Sequence, residues 1–221
     1  GVTTRELAGW PARQGAAAEV TGTDLFLDAH IGDLGPGLRV LADSSGHPLQ
    51  YDVGGLSIRA WTRRLDYLTP VAPLLWAARR LAATRARRAI LARRCRPVRL
   101  VAPGAASGRV RFIENDVFRR TEAFVGAFDL VRAANLLNRD YFAEPDLSRG
   151  LDNLLAYLGG PGALLWLART RIGAGNEATL FEVTPDRRLT VLARVGRGSE
   201  LEDLVSLREA APHVRTPEDR A

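Results

Sequence analysis

The sequence predicts an α/β domain: a mainly parallel sheet that closes with an antiparallel hairpin at its C-terminal end. Three observations carry this. Short apolar runs alternate with helical patterns along most of the 221 residues, which is the rhythm of βα units. Ala163-Leu164-Leu165-Trp166-Leu167-Ala168 is apolar throughout, as a central parallel strand covered on both faces must be. Residues 178–183 and 188–195 flank Thr184-Pro185-Asp186-Arg187, a turn in which Pro presets φ and Asp can bond back to its own backbone.

In chain order, residues 2–14 suit a helix that Pro11 ends or kinks, and 18–23 a strand ending at Asp24. From 38 to 62 the pattern changes to Leu38-Arg39-Val40-Leu41-Ala42, Leu49-Gln50-Tyr51-Asp52-Val53 and Leu56-Ser57-Ile58-Arg59-Ala60-Trp61. Ser/Gly turns separate these pieces, predicting two or three antiparallel strands of a small lobe. Residues 70–94 read as a helix with Pro70 near its first turn and Ala, Leu and Arg after it. Its arginines spread around the axis rather than along one stripe. Segment 38–97 is thus an inserted small β and basic-helix element. Strands are expected at 98–102, 110–114 and 128–131, then a helix at 146–158 with Asp146 as N-cap and Gly159-Gly160 closing it. Residues 1–210 read as one domain and 211–221 as a loose tail.

Composition narrows the function classes. No apolar stretch approaches the roughly 20 residues of a membrane-spanning helix, and the single cysteine, Cys95, fits a reducing, cytoplasmic compartment. All 31 basic residues are arginine; a GC-rich coding sequence accounts for the missing lysine. The distribution is uneven: residues 59–99 hold twelve arginines against Asp66 (net +11), and the remainder nineteen against twenty-four acids (net −5). His30, His47 and His213 lack metal-ligand spacing, so no metal is expected. Neither a Gly-x-Ser-x-Gly elbow nor a phosphate loop ending in Gly-Lys-Ser/Thr is present. Cys95 lies among arginines that would lower a thiol pKa, but has no neighbouring His.

Four local motifs occur in order. Gly1-Val2-Thr3-Thr4 opens a helix; Asp24, followed by Leu25, ends the next strand; Phe112-Ile113-Glu114-Asn115-Asp116-Val117-Phe118 is an apolar strand running into Asn-Asp; and Phe128-Asp129-Leu130-Val131-Arg132-Ala133-Ala134-Asn135 leads through Leu136-Leu137-Asn138-Arg139-Asp140 to Tyr141-Phe142. With the terminal hairpin and the turn Leu158-Gly159-Gly160-Pro161-Gly162, this set resembles the class I S-adenosylmethionine-dependent methyltransferases, and its fourth motif resembles that of the chemotaxis-receptor methyltransferases, with Ala134 replacing an arginine. The resemblance spans roughly residues 1–195. It implies a Rossmann-like sheet, methyl transfer to a small-molecule or protein acceptor, and S-adenosylmethionine as cofactor.

By the same resemblance Gly1 and Thr3 approach the cofactor through backbone N–H groups. Asp24 and Leu25 hold the ribose, a carboxylate being able to accept from both hydroxyls of a diol. Asn115, Asp116 and Val117 read adenine, Asn135 contacts the cofactor, and Asn138 and Tyr141 lie on the substrate side. The family's first strand is then expected upstream of Gly1, between the strand ending at Asp24 and the one ending near Arg132, and the 221-residue piece is expected to be marginally stable and to bind cofactor poorly without it. Plainer roles suit the same side chains: Asp24 as a strand-end cap, Asn115 and Asp116 as a turn pair, Asn135 and Asn138 as loop formers, Tyr141 as packing. No general base is named by the sequence. An alternative reading is a non-catalytic module of the same fold, docking its Arg-rich segment on nucleic acid or an anionic membrane surface.

Overall fold

The computed structural model describes residues 9, 18–60, 72–92, 94–101, 110–171 and 175–210. The helix expected at 2–14, with Gly1 and Thr3, and the tail at 211–221 lie outside them. The chain divides into two compact units, 1–115 and 116–221, each mixed α/β with more strand than helix.

In the first unit β1 (Val20–Asp24) runs to a hairpin meander of β2 (Asp28–Gly35), β3 (Leu38–Asp43), β4 (Pro48–Val53) and β5 (Leu56–Arg59). Helix α1 (Ala72–Leu91) returns the chain to β6 (Cys95–Arg99), and β7 (Val110–Glu114) closes the unit. The meander is a five-stranded antiparallel sheet in the order β5-β4-β3-β2-β6. Its hairpins follow from the connections: Pro36-Gly37 and Gly54-Gly55 are two-residue loops, and Gly54 and Gly55 take φ of 58° and 88°, a pair of left-handed residues that matches the strand twist. Helix α1 rests on this sheet through Ala82, Ala86 and Ile90 against Val40, Ala42 and Tyr51. Small alanines let the backbones approach. At the β3–β4 turn Gly46 (φ 86°) lies against the helix so closely that a Cβ there would come 3.0 Å from Arg87 Cα. Apart from the meander, β1 and β7 form a parallel pair in which Asp24 is opposite Glu114.

The second unit comprises β8 (Leu130–Ala134), α2 (Glu144–Ala156), β9 (Leu164–Arg171), β10 (Gly175–Val183), β11 (Leu189–Val195) and α3 (Glu202–Ser206). Its sheet has the order β11-β10-β9-β8, parallel between β8 and β9 and antiparallel elsewhere. Helix α2 begins with Glu144 and Asp146 in its first turn and Pro145 beside them, favourable at the positive end of the helix dipole. Its Leu147, Leu151, Leu154 and Leu155 are buried at the spacing of one helical face. With Val131, Ala133, Leu165, Leu167, Phe181 and Val183 of the sheet they make the core. Gly150 is where the helix meets the loop after β8: a Cβ there would stand 2.8 Å from Leu137 Cδ2.

The terminal hairpin pairs residues 178–183 with 189–195 as the sequence predicts. Other expectations are corrected. The sheet is not mainly parallel, and a Rossmann-type parallel sheet is not seen among the described residues, where β1–β7 and β8–β9 are the parallel strand pairs and the other strand pairs are antiparallel. Two-residue connections can join only antiparallel neighbours, and the β2–β3 and β4–β5 hairpins of the meander have them. The small lobe begins earlier than expected, at β2. Asp146 is not the N-cap of α2; Ala143 holds that position, without a side-chain bond. The strand expected at 98–102 is β6, three residues earlier. Among the described residues β1 pairs with β7 alone and β8 with β9 alone, so each keeps one edge without a strand partner.

Candidate functional site

In the first unit the C-terminal rim of the β1–β7 pair carries two carboxylates side by side. Asp24 is exposed, with one carboxylate oxygen accepting from Leu25 N–H at 2.7 Å and its carbonyl accepting from Asn115 N–H at 2.8 Å. Among the described residues no cation pairs with it. Glu114 is committed elsewhere: its Oε1 accepts from Leu27 N–H at 2.8 Å and Asp28 N–H at 3.3 Å, fixing the chain where it leaves β1 for the meander. Asp24, Leu25 and Asn115 therefore do meet at one rim. Glu114 escaped sequence reasoning because its partners lie 87 and 86 residues away.

The other sequence-chosen residues belong to the second unit. Asp116 accepts from Phe118 N–H at 3.0 Å and sits 3.8 Å from Arg119 Nε, the geometry of a turn residue. Val117 is buried, its carbonyl accepting from Asn153 Nδ2 at 2.7 Å. Asn135 ends β8 with φ 55°; its N–H donates to Ala168 O at 2.8 Å and its Oδ1 accepts from Thr170 N–H at 2.7 Å, tying β8 to β9. Asn138 is buried, and its Oδ1 and carbonyl accept from Tyr141 N–H at 3.2 and 3.3 Å. Tyr141 is half-buried beside Phe142, ring centroids 6.4 Å apart. Asn135, Asn138 and Tyr141 thus make these bonds and contacts in and beside the 135–142 loop.

What anchors that loop is a charge network the sequence did not reveal. Arg139 donates its N–H to Glu200 Oε1 at 3.0 Å, and its Nη2 reaches Asp203 at 2.7 Å. Arg169 bridges Asp140 and Glu200, the latter at 2.6 Å, and Arg171 reaches Glu200 at 2.7 Å and buried Glu177 at 3.0 Å. Burial works against the Arg169 guanidinium, but hydrogen bonds and charges from Asp140 and Glu200 outweigh it and hold its pKa above the usual value. Nearby, Arg194 and then Thr179 hydrogen-bond Glu202, keeping its carboxyl below the ordinary range despite partial burial.

No family model, curated protein or solved structure matches the chain.

Cys95 is no activated nucleophile. Burial pushes its thiol up and Asp33 adds to that, against a pull downward from Arg94, so the arginines around it do not have the effect their sequence proximity suggested. Among the described residues no group of three His, Cys, Asp or Glu side chains could hold a metal ion, and no helix is long and apolar enough to cross a membrane. An open hollow of about 340 Å³ between the hairpin turns, lined by Asp33, Arg39, Asp52 and the turn glycines, includes none of the residues chosen from sequence.

Proposed function

We propose that the chain transfers the methyl group of S-adenosylmethionine to a small-molecule or protein acceptor. The observation that supports this best is Asp24: an exposed carboxylate, free of any cation among the described residues, at the C-terminal rim of a parallel strand pair. Open α/β sheets bind ligands at that rim. The residues present fit the ribose of the cofactor, since Leu25 N–H orients the carboxylate through one oxygen and leaves acceptor capacity for a vicinal diol. Asn115 stands beside it. When bound, the cofactor supplies an electrophilic methyl group. The protein's part is to bind and align the two reactants and exclude water, which needs no catalytic dyad.

Calorimetric titration of the full chain with S-adenosylmethionine tests the reading. Asp24→Ala should weaken binding by about 1–3 kcal/mol, the cost of leaving hydrogen-bonding partners unpaired. Affinity equal to that of the unaltered chain would overturn it.

A further inference from the structure

Helix α1 and β6 together hold Arg79, Arg80, Arg85, Arg87, Arg88, Arg96 and Arg99, and the stretch from Ala72 to Arg99 contains no acid. Among the described residues none of these guanidiniums, nor that of Arg94, pairs with a carboxylate. Arginine usage alone does not explain this. In the second unit of the same chain ten arginines carry ion pairs, so arginine-rich composition by itself does not leave arginines unpaired.

The unpaired cations spread around the axis, but Arg80 and Arg87 share one flank with Trp76. Ala82, Ala86 and Ile90 face the sheet; at 100° per residue the exposed Trp76, Arg87 and Arg80 lie together along one flank of the helix, and exposed Arg88 lies further round on the outer side. Arg80 to Arg88 spans about 12 Å of helix axis at 1.5 Å per residue, roughly three phosphates of a stacked strand. Trp76 is 56% exposed, and the Arg80 guanidinium rests 5.0 Å from its ring centroid. An indole held outward beside unpaired cations is the combination that binds single strands, where bases stack on an aromatic face while cations follow the backbone. A bilayer would need an apolar face to insert, and the apolar face of α1 is already against the sheet.

We propose that the outer face of α1 binds single-stranded nucleic acid, with Arg80, Arg87 and Arg88 on phosphates and Trp76 stacking on an unpaired base. This stands independently of the cofactor reading. The test is fluorescence anisotropy of a labelled single-stranded oligonucleotide titrated with the full chain over a salt series. Three phosphate contacts give a slope of log affinity against log salt of about −2. The triple variant Arg80→Gln, Arg87→Gln, Arg88→Gln should bind at least about tenfold more weakly with a slope near zero, and Trp76→Ala roughly tenfold more weakly with the slope kept. Arg188→Gln, which removes an exposed arginine paired with Asp186 in the second unit, should change nothing. Far-UV circular dichroism confirms that α1 persists in each variant, a control that Arg87 needs because its stem lies against Gly46 of the β3–β4 turn. Unchanged binding by the triple variant, an equal loss in Arg188→Gln, a duplex bound as tightly as the single strand, or phosphatidylserine vesicles bound in preference to the oligonucleotide would each overturn the proposal.

Discussion

The two units use one residue type in opposite ways. Residues 1–115 hold seventeen arginines against nine acids, and 116–221 fourteen against sixteen. Where the numbers balance, arginine is structural: Glu200 alone gathers Arg169, Arg171 and the backbone of Arg139, and in doing so holds the loop after β8 to the segment before α3. Where acids are scarce, the arginines of α1 and β6 find no carboxylate among the described residues, and α1 is held by alanine and aliphatic packing beneath it. The lesson is that an arginine count means little until partners are assigned. An exposed pair is worth under about 1 kcal/mol, whereas removing one member of a largely desolvated network leaves a charge without compensation.

Glu200→Ala is therefore the sharpest way to break the comparison. With Glu200 and Arg169 side chains only 18% and 16% exposed, the loss should be about 3 kcal/mol, read as a lowered midpoint in thermal or denaturant melts, while Arg88→Gln should stay within about 0.5 kcal/mol. Equal effects would erase the distinction between the units. Gly46→Ala comes next. It forces a side chain onto φ 86° and against Arg87 Cα, a combination expected to cost about 1–2 kcal/mol and to lower the helical signal of α1; a melt identical to that of the unaltered chain would show that the helix is not seated on that turn. The smallest effect is the pH response of Glu202. Its folded pKa lies below the ordinary 4.5, so the unfolded chain takes up its proton first as pH falls: the stabilisation is present above about 4.5 and is lost as the pH drops through the folded value. Melting temperature should decline below about pH 4.5, and less steeply in Glu202→Gln. An unaltered slope would mean that the bond to Arg194 contributes nothing.

How far the sequence was legible follows the range of the interactions. The hairpin at 178–195 and β3 to β5 could be read because alternation and turn residues are local. Strand β2, Asp-Ala-His-Ile-Gly-Asp-Leu-Gly, could not: it lacks the composition of a strand and exists because β3 and β6 pair with it on both sides, a tertiary override of weak propensity. At the candidate site Asp24 was legible as a strand-end carboxylate. The engagement of Asn135 with Thr170, 35 residues on, and of Arg139 with Glu200, 61 residues on, was not, since nothing local marks either partner. The parallel reading of the sheet went wrong for a related reason. Apolar runs report burial, and only the connections between them decide direction.

Gly32 and Cys95 face each other across β2 and β6, and a Cβ on Gly32 would overlap the Cys95 sulfur. The two positions share a single volume, so a larger residue at 32 is tolerable only if 95 shrinks, and the pair must drift together or not at all. The same contact places the chain's one thiol on its edge strand. The sulfur, half-buried against Gly32 with its pKa raised by burial, marks the seam where edge strand β6 meets β2.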